Sequence, residues 1–296
     1  MKDALQRNSC SRDGLDASLP FSDNVFAPDD IWRQRELDVF GSNLSDDLID
    51  KFREKAREAG MYIKDSKNAC AMFLRGGSLN LDKSLDLLQV YLQNKVNCAH
   101  YFLKDDVERL SYVLGMNTHS ITSRRDVEGR RVFIFRPGKW ETDKVDLSDL
   151  YCLSAMLCEL IATEPKSQIA GTLVVYDGEG FGYPQLRSVG VKDAKDTADF
   201  MNVFPVWFRG IHIVRHPFVF KLAYNLVYPF LSENAKEVIH FHGNDMKSLH
   251  RYVDPRILPS EYEGFAETFS PQELTDTLSD LQEYYRNVKS WKLSKA

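Results

Sequence analysis

The chain has 296 residues, 43% hydrophobic and 27% charged, the proportions of a globular protein with a sizeable core. Lys and Arg number 38 against 43 Asp and Glu, and the net charge of −5 argues against a general nucleic-acid binder, which needs a basic surface to displace counterions. The longest apolar run, Leu150 to Cys158, stops at Glu159, short of the roughly 18 residues of a bilayer span, and no apolar stretch behind a basic start marks a secretory signal.

Residues 1–28, rich in Ser, Asp and Asn, read as a loosely ordered tail. Ser45 is placed to cap a helix whose first turn holds Asp46 and Asp47, favourable at the positive end of the dipole. Leu48, Phe52 and Ala56 then recur at helical spacing up to a stop at Gly60. A short helix through Ala69, Met72 and Phe73 ends at Gly76-Gly77. Asn80 caps the next, with Leu81, Leu85, Leu88 and Leu92 on one stripe. Up to about Leu114 the chain reads as a small helical unit.

Beyond it the pattern changes. Arg124 to Gly129 is turn-like, and Val132-Phe-Ile-Phe135 is a β-rich run. An apolar helix is expected from about Ser148 to Ala162, then a strand from Gly171 to Tyr176, apolar on both faces as buried parallel strands are. A helix (Ala194 to Val203), a strand (Ile211 to Val214), a helix (Phe218 to Leu231) and a strand (Val238 to His242) follow. Strands alternating with helices point to an α/β layer around a mainly parallel sheet. Ser270-Pro-Gln-Glu273 is a capping box with Pro at the first helical position, and Leu274, Leu278 and Leu281 give that last helix a face to dock. No repeat is visible.

Candidate chemistry is sparse. Five cysteines (Cys10, Cys70, Cys98, Cys152 and Cys158) form no CxxC pair, and read as reduced structural thiols of a cytoplasmic protein. Asp177-Gly-Glu-Gly-Phe-Gly182 suggests a dinucleotide loop, but the third glycine of GxGxxG falls on Tyr183, too bulky for close helix–strand packing. A glycine-rich turn leaving a strand accounts for it better, with turn and cap roles for Asp177 and Glu179. His240 and His242 share one face of a strand without a third ligand at metal spacing. No phosphate loop and no GxSxG elbow occurs, so neither an enzyme nor a cofactor or metal site is expected. The unusual stretch is Pro217 to Leu231, fifteen residues with Lys221 as the only charge. A helix apolar nearly all round is buried or has two apolar partners, one of which can be the sheet and the other a lipid or a membrane.

Short matches in order then carry a resemblance. Ala71-Met-Phe-Leu-Arg75 followed by Leu79-Asn-Leu-Asp-Lys-Ser84 looks like the FLRARKFD segment of the CRAL-TRIO (Sec14-like) lipid-binding family. Arg124 to Arg136 with Gly138-Lys-Trp140 resembles that family's entry strands, and Gly171 to Asp177 its Asp-ending strand. Phe204-Pro205, Arg209 to Ile213, Pro217, Pro229-Phe-Leu231, His240-Phe-His-Gly243 and Ile257 to Tyr262 follow in family order. Over about residues 29–290 the chain is similar to this family, nearest to its tocopherol-transfer and retinaldehyde-binding members.

The resemblance implies a tail (1–28), an N-terminal helical domain (29–104), a lipid-binding α/β domain (105–270) and a C-terminal helix packed on it (271–296). The implied lid is the helix Phe218 to Leu231, touching membranes transiently. The implied pocket is lined by Phe135, Tyr151, Ser154, Ala155, Cys158, Thr172, Tyr176, Phe200, Phe204, Phe218 and Leu222, with His119, Ser154 and Cys158 near the head group of one hydrophobic ligand. A carrier of a retinoid, tocopherol-like or other isoprenoid lipid is expected; a phosphatidylinositol transfer protein, or an adaptor with a vestigial pocket, is the alternative. The departures concern charge. Basic positions that such relatives use for phosphoinositides are Gly77, Trp207, Asn234 and Val238 here, while Arg209 and Lys236 remain; the Asn ahead of the lid is Arg215, and a late glycine is Glu263. Arg–phosphate forks are not replaceable by such side chains, so phosphoinositide binding is expected to be weak or absent.

Overall fold

The computed structural model describes residues 26–63, 66–99 and 107–294. The expected tail therefore lies outside the described residues except for its last three, as does Cys10; Cys70, Cys98, Cys152 and Cys158 are buried thiols outside any disulfide.

The N-terminal part is helical: α1 (Asp30–Phe40), α2 (Asp46–Glu58), the short β1 (Met61–Tyr62), α3 (Lys67–Gly76), α4 (Leu81–Asn97) and α5 (Val107–Gly115). The caps act locally as the residue types dictate. Ser45 accepts from the Leu48 amide, Ser66 from Ala69 and Asn80 from Lys83. Ile49, Phe52 and Ala56 form the buried face of α2. Arg75, inside the FLR match, is fully buried and donates to Glu36 of α1 at 2.7 Å. It ties α3 to α1 instead of facing solvent.

The α/β part runs β2 (His119–Ile121), β3 (Arg131–Phe135), α6 (Leu147–Ala162), α7 (Pro165–Ala170), β4 (Thr172–Asp177), α8 (Tyr183–Arg187), α9 (Val191–Val203), β5 (Phe208–Val214), α10 (Phe218–Val227), α11 (Glu233–Glu237), β6 (Ile239–Gly243) and α12 (Met246–Leu249). The strands lie in the order β2-β3-β4-β5-β6, antiparallel at β2–β3 and parallel at the other three pairs. The sheet is apolar on both faces because both are covered. Val132, Ile134, Leu173, Val175 and Val214 pack under Met246, Leu249, Val253, Ile257, Leu258 and Tyr262. Phe133, Val174 and Ile211 face the core with Leu150, Leu153 and Leu157 of α6.

The expected single C-terminal helix is two, α13 (Pro271–Asp280) and α14 (Gln282–Ser290), followed by β7 (Lys292–Leu293). Leu274, Leu278 and Leu281 are buried as the stripe requires, and α13 packs on α5. Strand β7 pairs antiparallel with β1, so the C-terminal segment closes on the helical part. Among the described residues no helix is long and apolar enough to cross a membrane.

Candidate functional site

Strand register assembles the floor of the site. His119 pairs with Phe135, Phe135 with Tyr176, Tyr176 with Ile213 and Ile213 with Phe241, one row across all five strands. The first three rings touch in sequence: His119 and Phe135 have centroids 4.8 Å apart, and Phe135 meets Tyr176 edge-on at 5.2 Å. Thr172 lies at the start of β4, where its hydroxyl donates to the Arg131 carbonyl at 2.9 Å and only its methyl is left to face anything else.

Helix α6 supplies the opposite wall. Tyr151, Ser154, Ala155 and Cys158 fall at i, i+3, i+4 and i+7, one stripe of the helix. Ala155 and Cys158 cluster with Phe204, Phe200 and Phe208, and the Phe200 and Phe204 rings lie 4.5 Å apart. Tyr151 reaches Phe200 at 6.5 Å and shares a hydrogen bond with the Thr197 hydroxyl on α9.

The third wall is α10, and here the expectation is corrected. Phe218 and Leu222 point outward, 72% and 38% exposed; the inward face is Phe220 (4%) and Ala223 (9%), with Val219 beside them. Phe220 packs on Tyr176 at 5.1 Å and on Phe181 at 5.7 Å. Two neighbouring stripes of this helix are both apolar, so composition alone did not orient it. Phe218 is its first residue after the Pro217 cap and projects from the open end. The helix is also shorter than expected. Pro229 has no N–H to give the Asn225 carbonyl, and residues Tyr228–Phe230 form a 3-10 turn instead.

The polar groups at this site are all neutral. Burial first, and the Arg136 charge second, push His119 down to about 3. Its Nε2 lies 2.7 Å from Ser154 Oγ and its Nδ1 2.8 Å from Thr118 Oγ1, while Ser154 and Thr118 each donate to a carbonyl, Leu150 and Val113. A neutral imidazole has one N–H, so one of those two hydroxyls accepts from it while the other turns its proton from its carbonyl to the bare ring nitrogen. Burial pushes the Cys158 thiol and the Tyr151 phenol up to about 12 each, and the Tyr176 phenol well above the usual range. Tyr176 makes no hydrogen bond among the described residues. Phe135, Tyr151, Tyr176 and Phe200 nevertheless keep partial accessibility.

Two of the four missing basic positions, Gly77 and Trp207, are taken up by packing. A Cβ on Gly77 would lie 2.3 Å from Ser84 Oγ, and the Trp207 indole donates to the Gly76 carbonyl at 3.0 Å. Lys236 is paired with Glu233 at 2.8 Å. Arg209 lies over the Trp207 ring at 4.1 Å and lines an open cleft of about 230 Å³ with Arg35, Glu128 and Arg130, sharing none of the residues above. His240 and His242 lie on the other side of the sheet, His240 stacked on Tyr252 and His242 bonded to His212 and Ser248.

Helices on one face of a mainly parallel five-stranded sheet, with an aromatic row beneath them, fit one family model. The model of the CRAL/TRIO domain matches residues 116–264, half of the chain and the whole of that sheet. The chain belongs to the CRAL/TRIO domain family. This is the Sec14-like lipid-binding family of the sequence resemblance. Clavesin-1 of Rattus norvegicus is 26% identical over 195 residues, 65% of this chain and 55% of that protein. Clavesin-2 of Homo sapiens is 27% identical over 162 residues, 52% of this chain and 48% of that protein. The CRAL/TRIO chain thus spans about half the length of the curated relatives it matches. The crystal structure of Sfh5 is similar at a TM-score of 0.48 and 14% identity, covering 81% of this chain and 90% of that one.

Proposed function

We propose that this protein binds one apolar small molecule between the β3–β5 floor, α6, α9 and the lid helix α10, and carries it between membranes. Its cargo class is a retinoid, a tocopherol-like molecule or another isoprenoid with one uncharged head group. One observation carries this reading: walls rich in aromatic rings whose polar groups are all neutral. Burial raises the phenols of Tyr176 and Tyr151 while both side chains keep some accessible area, which suits residues at the wall of a binding space. The ten expected pocket residues other than outward-facing Phe218 and Leu222, together with inward Phe220 and Ala223, include no Asp, Glu, Lys or Arg. A phosphate head group buried there would meet no unpaired cation, nearby Arg136 being held by Glu261, and an unpaired buried ion is costly. That weighs against the phospholipid alternative.

The same neutrality favours a carrier over a catalyst. An imidazole at about 3 is a poor base at neutral pH, and a thiol at about 12 is not a thiolate. Burying a methylene is worth roughly 0.8 kcal/mol, and a bilayer offers nearly the same refuge. The carrier's task is therefore to keep the molecule out of water on the way. Outward-facing Phe218, Leu222, Tyr228 and Phe230 give the lid an apolar outer surface for transient docking to a membrane from the cytoplasm. Phosphoinositide-stimulated release is expected to be weak, with Gly77 and Trp207 occupied as described and Lys236 neutralised. Vesicle-to-vesicle transfer of a fluorescent retinoid or tocopherol tests both parts. Transfer at the same rate with and without phosphatidylinositol bisphosphate is expected. No transfer overturns the carrier reading, and strong stimulation overturns the phosphoinositide part.

A further inference from the structure

The link between β5 and α10 is the residue triplet Arg215-His216-Pro217, and it is held unusually tightly. Arg215 has φ +48°, left-handed backbone that side-chain-bearing residues rarely adopt. Its amide donates to the Gly243 carbonyl at 2.6 Å. The guanidinium forks onto Asp177, with Nε 3.1 Å from Oδ1 and a second bond to Oδ2, and reaches Glu179 Oε2 at 2.8 Å. It lies over the Tyr262 ring at 5.1 Å, whose hydroxyl donates to Asp177 at 2.9 Å. Gly178 sits directly behind: a Cβ there would lie 2.7 Å from His216 Cα. The His216 ring in turn touches Phe220 and Phe241.

We infer that Arg215 is a positioning residue that latches the lid helix α10 shut, its guanidinium clamping the hinge to the two carboxylates of the Asp177–Glu179 turn. The inference rests on the lid reading above and names what restrains it. A left-handed Arg persists only where surrounding contacts over-determine it. Here those contacts are charge-assisted and mostly screened from water, Arg215 being 20% and Asp177 2% exposed. Swinging α10 away turns the backbone at Arg215 to Pro217 and pulls the guanidinium off Glu179 first, the more exposed partner at 64%. The glycine-rich turn after β4 thus acquires a role: it presents both carboxylates to the hinge and leaves room for it at Gly178.

Hydrogen exchange read by mass spectrometry on the full chain tests this without any ligand. Arg215→Asn keeps a residue that tolerates left-handed backbone and removes the ion pairs; Glu179→Gln, at an exposed position, removes the outer pair alone. Losing charge-assisted bonds of this kind is expected to raise exchange across residues 218–227 about tenfold in Arg215→Asn, with a smaller rise in Glu179→Gln and none in β4. Raising salt to about 1 M, where the Debye length is about 3 Å, weakens the exposed Glu179 pair far more than the buried Asp177 pair, and should move wild-type lid exchange toward that of Glu179→Gln while leaving Glu179→Gln itself nearly unchanged. Unchanged lid exchange in Glu179→Gln, a salt-insensitive wild type, or an equal rise in β4 and the lid each overturns the latch. A pocket that carries nothing would leave the measurement standing, so the two readings fail separately.

Discussion

His119 links the sheet to α6 through Ser154, and its neutrality has a consequence for stability. Its folded value of about 3 lies below the ordinary 6.5, so the unfolded chain binds a proton first as pH falls. The stabilisation is complete above pH 6.5 and is lost as pH falls from there toward 3, at a slope of at most about 1.4 kcal/mol per pH unit. His212, also held near 3 by burial and by its neighbours His242 and His240, adds a second contribution of the same sign. Chemical denaturation of wild type and His119→Asn at pH 7 and pH 5 checks this. The wild type is expected to lose more stability than the variant between the two; equal losses would mean that His119 titrates normally.

At the scale of elements, α10 divides its apolar residues between two surroundings, and the two halves should respond differently to charge. Leu222→Asp lies on the outer face, where substitutions usually change stability by no more than about 0.5 kcal/mol. Ala223→Asp puts a carboxylate against Phe220, Tyr176 and Ile213. Thermal melting with vesicle flotation separates them: Leu222→Asp is expected to melt like wild type and float poorly, Ala223→Asp to melt earlier. A reversed pattern would mean that the helix presents the opposite face. The sequence signal fails at this helix for a physical reason. Both stripes are apolar because one meets the protein and the other is left exposed, and periodicity registers only the contrast between polar and apolar. Helix α6 was legible as an apolar run from about Ser148 to Ala162, while its pocket-facing stripe was implied by the family resemblance alone. Strand β2 went unread because His119-Ser-Ile is three residues long with two of them polar, and is a strand only through its pairing with β3. The C-terminal helix divides at Leu281 without Gly or Pro, since α13 docks on α5 while Tyr284, Tyr285 and Val288 of α14 face the central core.

For the whole molecule, alternating strands and helices announced the α/β layer, and ordered short matches the family. What the chain could not announce in one dimension is the lateral row His119, Phe135, Tyr176, Ile213 and Phe241, which exists only once five strands are in register. That row, with α6 above and α10 at the side, is the proposed binding enclosure, its lining uncharged in a protein of net charge −5. The central claim is that this enclosure holds one uncharged apolar molecule. Mass spectrometry of organic extracts from the purified protein tests it most directly, with Tyr176→Arg, which puts a charge on the floor, alongside. A single neutral retinoid- or isoprenoid-class species, near one per chain, is expected in the wild type and is expected to be lost from Tyr176→Arg. A two-chain phospholipid, an empty wild type, or the same species retained by Tyr176→Arg would contradict the claim.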